Sequence, residues 1–200
     1  MLVSFEGGEG AGKTTLIQTI YKECLNRGYR TLLTRAPGGT KLGEMIRSLL
    51  LHRTEYCLKD RAELFLFLAD RAQHVAEVIK PALQKGMLVL CDRFNDSTVA
   101  YQGGARGFDP LWIRKLCHFV TEGLEPTLTL YLDIDPEEGL KRVQRSKDRI
   151  EQEAISFHQR IRSAYLKIAQ EEPKRFYVIN ASESPDSVYG QALSILESHW

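Results

Sequence analysis

Short apolar runs alternate along the chain with longer segments of helical period. Residues 2–5 (Leu-Val-Ser-Phe), 29–34, 87–91 (Met-Leu-Val-Leu-Cys), 127–134 and 176–180 have the length and composition of buried strands. Between them, residues 16–25, 42–51, 63–83, 109–121, 137–145, 157–170 and 187–198 read as helices. The runs are continuous rather than alternating, as in parallel strands covered on both faces. Strand, helix and strand within the first 34 residues imply a right-handed crossover. The pattern predicts an α/β fold of about five parallel strands with helices on both faces, in one domain spanning residues 1–200. Leu64-Phe65-Leu66-Phe67-Leu68-Ala69 is apolar all round and predicts a buried helix, ended by Pro81 to Gly86.

The turn after the first run carries the clearest chemistry. Gly7-Gly8-Glu9-Gly10-Ala11-Gly12-Lys13-Thr14-Thr15 fits G-x-x-x-x-G-K-[ST]. Its glycines let successive backbone N–H groups converge on an anion at a helix N-terminus. Lys13 would reach the terminal phosphates of a nucleoside triphosphate, and the Thr14 hydroxyl would meet Mg²⁺. The expected fold is therefore that of the P-loop NTPases, with ATP and Mg²⁺ as the expected ligands.

Composition narrows this reading without redirecting it. A net charge of +1 provides no global field for nucleic acid or an anionic membrane. No apolar run approaches the ~18 residues of a membrane span, and Met1 leads almost directly into the first strand. Cys24, Cys57, Cys91 and Cys117 form no C-x-x-C pair and read as reduced, buried thiols of a cytoplasmic protein.

Other candidates lie at the carboxyl ends of strands, where open parallel sheets bind ligands. Arg35 opens the loop Ala36-Pro37-Gly38-Gly39-Thr40 and is either a phosphate ligand or a solvated cation. Asp92-Arg93 ends the third strand; the carboxylate could hold Mg²⁺ and the guanidinium could clamp a phosphate between two substrates. Residues 97–107 mix hydroxyls, an aromatic, an amide and glycines, the composition of a specificity loop. Phe67 and Arg71 share a helix face and could stack and hydrogen-bond a base, although spacing alone favours a core aromatic and a surface cation. Arg142, Arg145, Lys147 and Arg149 crowd a polar stretch that reads as a lid over about residues 142–152 or as a solvated face.

Together these motifs resemble the bacterial thymidylate kinase family. They are residues 5–15, Pro37-Gly38-Gly39-Thr40, Asp70-Arg71, Asp92-Arg93, Ser97-Thr98 with Ala100 to Gly104, and Asp148-Arg149-Ile150-Glu151, in family order. The resemblance implies transfer of the γ-phosphoryl of ATP to dTMP. It implies Phe67 stacking on thymine, Arg71 on the base edge, and Thr98 and Gln102 completing base recognition. Tyr101 would pack under the sugar, Glu9 would meet the 3′-hydroxyl, and Arg35, Arg47 and Arg93 would surround the monophosphate. Arg145 and Arg149 would be the lid cations, with Arg142 a further candidate, and the protein would be a homodimer. One departure is Ala36, where the family usually has Glu before Pro-Gly-Gly. Another kinase of the same fold remains open at this stage. A guanine-reading switch is disfavoured by the lack of N-K-x-D, and a nucleic-acid motor by the near-neutral charge.

Overall fold

The computed structural model describes residues 1–52, 57–144, 146 and 148–199. Five strands form one parallel sheet: β1 (Leu2–Gly7), β2 (Thr31–Arg35), β3 (Leu88–Asp92), β4 (Leu128–Asp133) and β5 (Phe176–Asn180). Their order is β2-β3-β1-β4-β5, so β1 is central and the chain crosses to either side of it. Phe5 pairs with Asp92 of β3, and Gly7 with Leu132 of β4. The predicted sheet is thus present in number and direction.

Strand side chains alternate between two apolar layers, which is why the runs are continuous in sequence. Val3 and Phe5, with Leu128, Leu130 and Leu132, face helices α1 (Lys13–Asn26) and α9 (Pro185–Glu197). Leu2, Val89 and Cys91 face the opposite side, beneath the second half of the long helix. Tyr131 also faces that way, stacking at 4.6 Å on Tyr165 of α8 (Ile155–Glu171).

The long helix begins at Asp60 as α3 (Asp60–His74), passes through a π-helical stretch Val75–Ile79, and continues as α4 (Lys80–Gln84). It therefore passes Pro81 and ends at Gln84, inside the predicted Pro81 to Gly86 stop. The widened π turns precede the proline, whose ring would crowd a regular α-helical carbonyl four residues back. The expectation that residues 64–69 are buried all round is corrected. Leu64 and Leu68 are buried, but Phe65 is 57% exposed on the outer face.

The glycine-bearing segment after Arg93 is helical, not a loop. It comprises α5 (Asn95–Thr98) and a π-helical stretch Val99–Ala105, with Arg106 N–H donating to the Tyr101 carbonyl five residues back at 2.9 Å. Its small residues serve close packing: a Cβ on Gly104 would lie 2.5 Å from the Ala164 Cβ of α8. The helix after β4 is also shorter than predicted, α7 (Pro136–Arg142). Helices α2 (Lys41–Leu51) and α6 (Pro110–Val120) flank α3. Cys24, Cys91 and Cys117 are buried as expected, but Cys57 is exposed; all four are free thiols. No helix among the described residues is long and apolar enough to cross a membrane.

Candidate active site

A cavity of about 960 Å³ opens along the carboxyl edge of β1, β2 and β3. Its lining brings together Glu9 to Thr15, Arg35, Arg47, Phe67, Arg71, Asp92, Arg93, Thr98, Tyr101 and Gln102. Residues distant in sequence meet there because the topology gathers strand ends on either side of β1.

At one end lies the glycine loop, with α1 starting at Lys13. The loop rests directly on α7. A Cβ on Gly10 would meet the Gly139 carbonyl oxygen at 1.9 Å, and one on Gly139 would meet the Glu9 carbonyl oxygen at 2.3 Å. Lys13 Nζ donates to the carbonyls of Gly7 at 3.0 Å and Gly8 at 2.7 Å. Burial and the nearby charge of Arg93 push the Lys13 pKa down to about 8, although Glu9 and Asp92 favour its cation. Thr14 and Asp92 line the cavity at this end.

In the middle sits Arg93, a non-glycine residue at φ +71°. That conformation is sterically costly and persists only where surrounding contacts enforce it. Arg93 N–H donates to the Phe5 carbonyl at 3.0 Å, and the next amide, Phe94 N–H, donates to Glu6 Oε1 at 2.7 Å. Glu6 is fully buried in β1 and also accepts from Ser4, Ser97 and Tyr165. So directed, Arg93 Nη2 reaches Glu9 Oε1 at 2.9 Å, and its guanidinium lies 5.1 Å from the Tyr101 ring centre. The Tyr101 hydroxyl donates to the same Glu9 oxygen at 3.0 Å. Burial disfavours ionised Glu9, but Arg93, Lys13 and that hydroxyl bond prevail and hold its carboxyl at about 2.

The far end carries the base-type contacts. Phe67 and Arg71 lie one turn apart on α3, as the spacing predicts. Arg71 is buried, with its guanidinium 4.6 Å from the Phe94 ring centre and Nη1 donating to the Arg93 carbonyl at 3.3 Å. Its buried Nε–H has no hydrogen-bond partner among the described residues. Gln102 is 1% exposed and donates from Nε2 to Glu63 Oε1 at 3.1 Å.

Two cations flank the Pro-Gly-Gly loop with different partners. Arg47 Nη1 donates to the Pro37 carbonyl at 2.8 Å. Arg35, half exposed, pairs with Glu44 at 2.9 Å. Asp70, buried at the back of α3, accepts from Gly38 N–H at 2.8 Å, and burial pushes its carboxyl up to about 6.

One of the expected lid cations lies elsewhere. Arg149 is not brought to the glycine loop. Its Nε donates to the Leu50 carbonyl at 2.9 Å, and its Nη2 pairs with buried Glu63. Asp148 causes this, because its carboxylate accepts from the amides of Ile150 and Glu151, both at 2.9 Å, and folds the segment into a turn. Arg142 does line the cavity, tied to the Ala181 carbonyl at 3.0 Å and to Glu138 at 2.5 Å. Arg145 lies outside the described residues.

Sequence reading overlooked Glu6 and Glu63. Each is an acidic residue next to strongly apolar neighbours in its element, a pattern that signals a buried, paired carboxylate.

A glycine loop after the central strand of a parallel sheet, facing a cavity with clustered cations and a base-sized aromatic end, defines a P-loop nucleotide kinase. The chain belongs to the thymidylate kinase family, whose profile matches residues 5–191. It is 49% identical to the thymidylate kinase of Protochlamydia amoebophila, over 99% of this chain and 92% of that one. It is also 49% identical to that of Desulfovibrio desulfuricans, over 100% of this chain and 96% of that one. The crystal structure of thymidylate kinase from Ehrlichia chaffeensis superposes with a TM-score of 0.80 at 34% identity, covering 98% of each chain.

Proposed function

We propose that this chain transfers the γ-phosphoryl group of ATP to dTMP, giving dTDP and ADP. The observation that carries the reading is one cavity with a phosphate-binding loop at one end and Phe67, Arg71 and Gln102 at the other. The γ-phosphoryl group and the acceptor phosphate meet between these ends, at Arg93. Phosphoryl transfer needs alignment and charge neutralisation more than covalent help. Lys13 supplies a cation at the glycine loop, and Arg93 supplies one between the two nucleotides. Glu9 orients Arg93 and Tyr101 together, and as a permanent acceptor it suits a sugar hydroxyl. Arg47 and Arg35 stand beside the acceptor phosphate; Arg35 would exchange its Glu44 pairing for it.

Mg²⁺ fits the donor set. Thr14 and Asp92 would hold it with phosphate oxygens, as expected of an ion that uses one or two carboxylates plus substrate phosphates. Among the described residues no group of three or more His, Cys, Asp or Glu forms a dedicated metal cage. When bound, the ion neutralises negative charge on the transferring phosphate.

We further propose a single kinase domain with its lid near residues 142–152, a homodimer, and a cytoplasmic site of action, which free cysteines suit. ADP release measured with dTMP, dUMP, dCMP, AMP and thymidine tests the reaction. The highest kcat/KM is expected for dTMP. Preference for AMP or for unphosphorylated thymidine would overturn the assignment.

A further inference from the structure

Glu63 is 1% exposed, yet it takes part in none of the phosphate chemistry. Its carboxylate is a buried node. Oε1 accepts from Gln102 Nε2 at 3.1 Å and from Arg106 Nε at 3.1 Å. Oε2 accepts from Arg106 Nη2 at 3.2 Å and from Arg149 Nη2. Burial opposes its charge, but Arg106 and Arg149 hold its carboxyl below the ordinary value, so it is an acceptor only. Against such a group the Gln102 carboxamide can present only its NH₂ end. The carboxamide oxygen has no hydrogen-bond partner among the described residues, and Gln102 lines the cavity.

We propose that Glu63 is a specificity-positioning residue: by taking the amide nitrogen of Gln102 it turns the amide oxygen toward the base. This inference rests on dTMP being the acceptor. A thymine edge offers N3–H, a donor, beside O4, an acceptor. Arg71, which lines the cavity, can only donate, while the Gln102 oxygen so held can only accept. The pair therefore matches N3–H and O4 together. Cytosine reverses both groups, with N3 accepting and the 4-amino group donating, and would leave buried polar groups unpaired. Unpaired buried groups are the strongest source of discrimination that a site has. A freely turning glutamine could accept from thymine N3–H or donate to cytosine N3 alike, so the discrimination at N3 resides in Glu63 as much as in Gln102.

The test is Glu63→Gln, assayed with dTMP and with 5-methyl-dCMP, which keeps the methyl group and exchanges only the N3/C4 edge. A carboxamide at 63 can donate as well as accept, and so frees Gln102 to turn. The ratio of kcat/KM for dTMP over 5-methyl-dCMP is expected to fall at least tenfold, through acceptor KM, with ATP KM unchanged. Glu63→Asp, which keeps the carboxylate, should retain most of the ratio. An unchanged ratio in Glu63→Gln, including equal losses with both acceptors, overturns the proposal. Should that variant fail to fold, a neutron structure of the wild-type dTMP complex decides: amide deuterons toward Glu63 support the proposal, and deuterons toward thymine overturn it. Wild-type turnover of dTMP separately tests the underlying reading. If it is present while the ratio does not move, the positioning role alone is wrong.

Discussion

Lys13 and Phe67 show how differently single residues depend on the fold. The chemistry of Lys13 is visible in the glycine motif, but its acidity is not, since that comes from burial and from Arg93, which arrives from another strand. The sign of its pH effect follows. The cation is the useful form, and a pKa lowered to about 8 means that it is lost as pH rises through that value. Because kcat/KM reports the free enzyme, kcat/KM for ATP should fall about tenfold per pH unit above that point. Lys13→Ala should abolish turnover while dTMP binding survives. A profile flat to pH 9.5 would show that Lys13 keeps its proton without ATP. Phe67 was ambiguous from spacing alone, which favours a core aromatic. Its place in the cavity lining beside Arg71 fits the base-stacking role proposed for it. Phe67→Ala should weaken dTMP binding by ~1–3 kcal/mol, the scale of one base–aromatic stack, with ATP KM unchanged. Calorimetry with each nucleotide separates the two effects. Arg149 went the other way: its motif was legible, but its direction depends on Asp148 and Glu63, which a linear pattern does not connect.

At the scale of elements, periodicity located every strand and the main helices, because burial on two faces of a sheet leaves continuous apolar runs. It misread the stretch after Arg93 as a loop, since glycine in sequence signals either a turn or a close helix contact. Only the proximity of α8 to Gly104 distinguishes the two. The same ambiguity hides the junction between the glycine loop and α7. Gly139 is not part of any nucleotide motif, yet a side chain there would meet the Glu9 carbonyl at 2.3 Å, a backbone atom that cannot retreat without moving the loop. Gly139→Ala should therefore cost ~1–3 kcal/mol of stability as overpacking, and raise ATP KM. Gly190 in α9 is the control, with open space around its Cβ position. Gly190→Ala should be neutral or stabilise by up to ~1 kcal/mol through helix propensity. Equal kinetics in Gly139→Ala and the wild type would show that α7 does not brace the loop.

For the whole molecule, the face of α2, α3 and α6 turned away from the sheet leaves apolar surface unpartnered. Leu42, Met45 and Leu49 recur at helical spacing on α2, with Met45 68% exposed; Phe65 lies on α3, and Trp112 and Phe119 on α6, the last 78% exposed. The sequence showed these residues as apolar but could not show which way they face; residues 64–69 were expected to be buried within one chain. Large contiguous apolar patches on a protein surface mark interaction sites. A second copy is the occupant that matches the proposed homodimer, because a two-fold interface presents the same patch twice. A stable interface of this kind buries roughly 800 Å² per partner, within reach of three adjacent helices. The chain of 22.8 kDa should therefore sediment at twice its mass at micromolar concentration. Phe65→Arg puts a cation into the apolar patch of each copy and should shift the protein to monomer. The consequence reaches the active site, because α3 carries Phe65 outward and Phe67 and Arg71 into the cavity. Losing the partner should loosen that helix, so the Phe65→Arg monomer should show a raised dTMP KM with ATP KM little changed. A wild-type protein that sediments as a monomer, or a Phe65→Arg variant that remains dimeric, would remove this face from the interface.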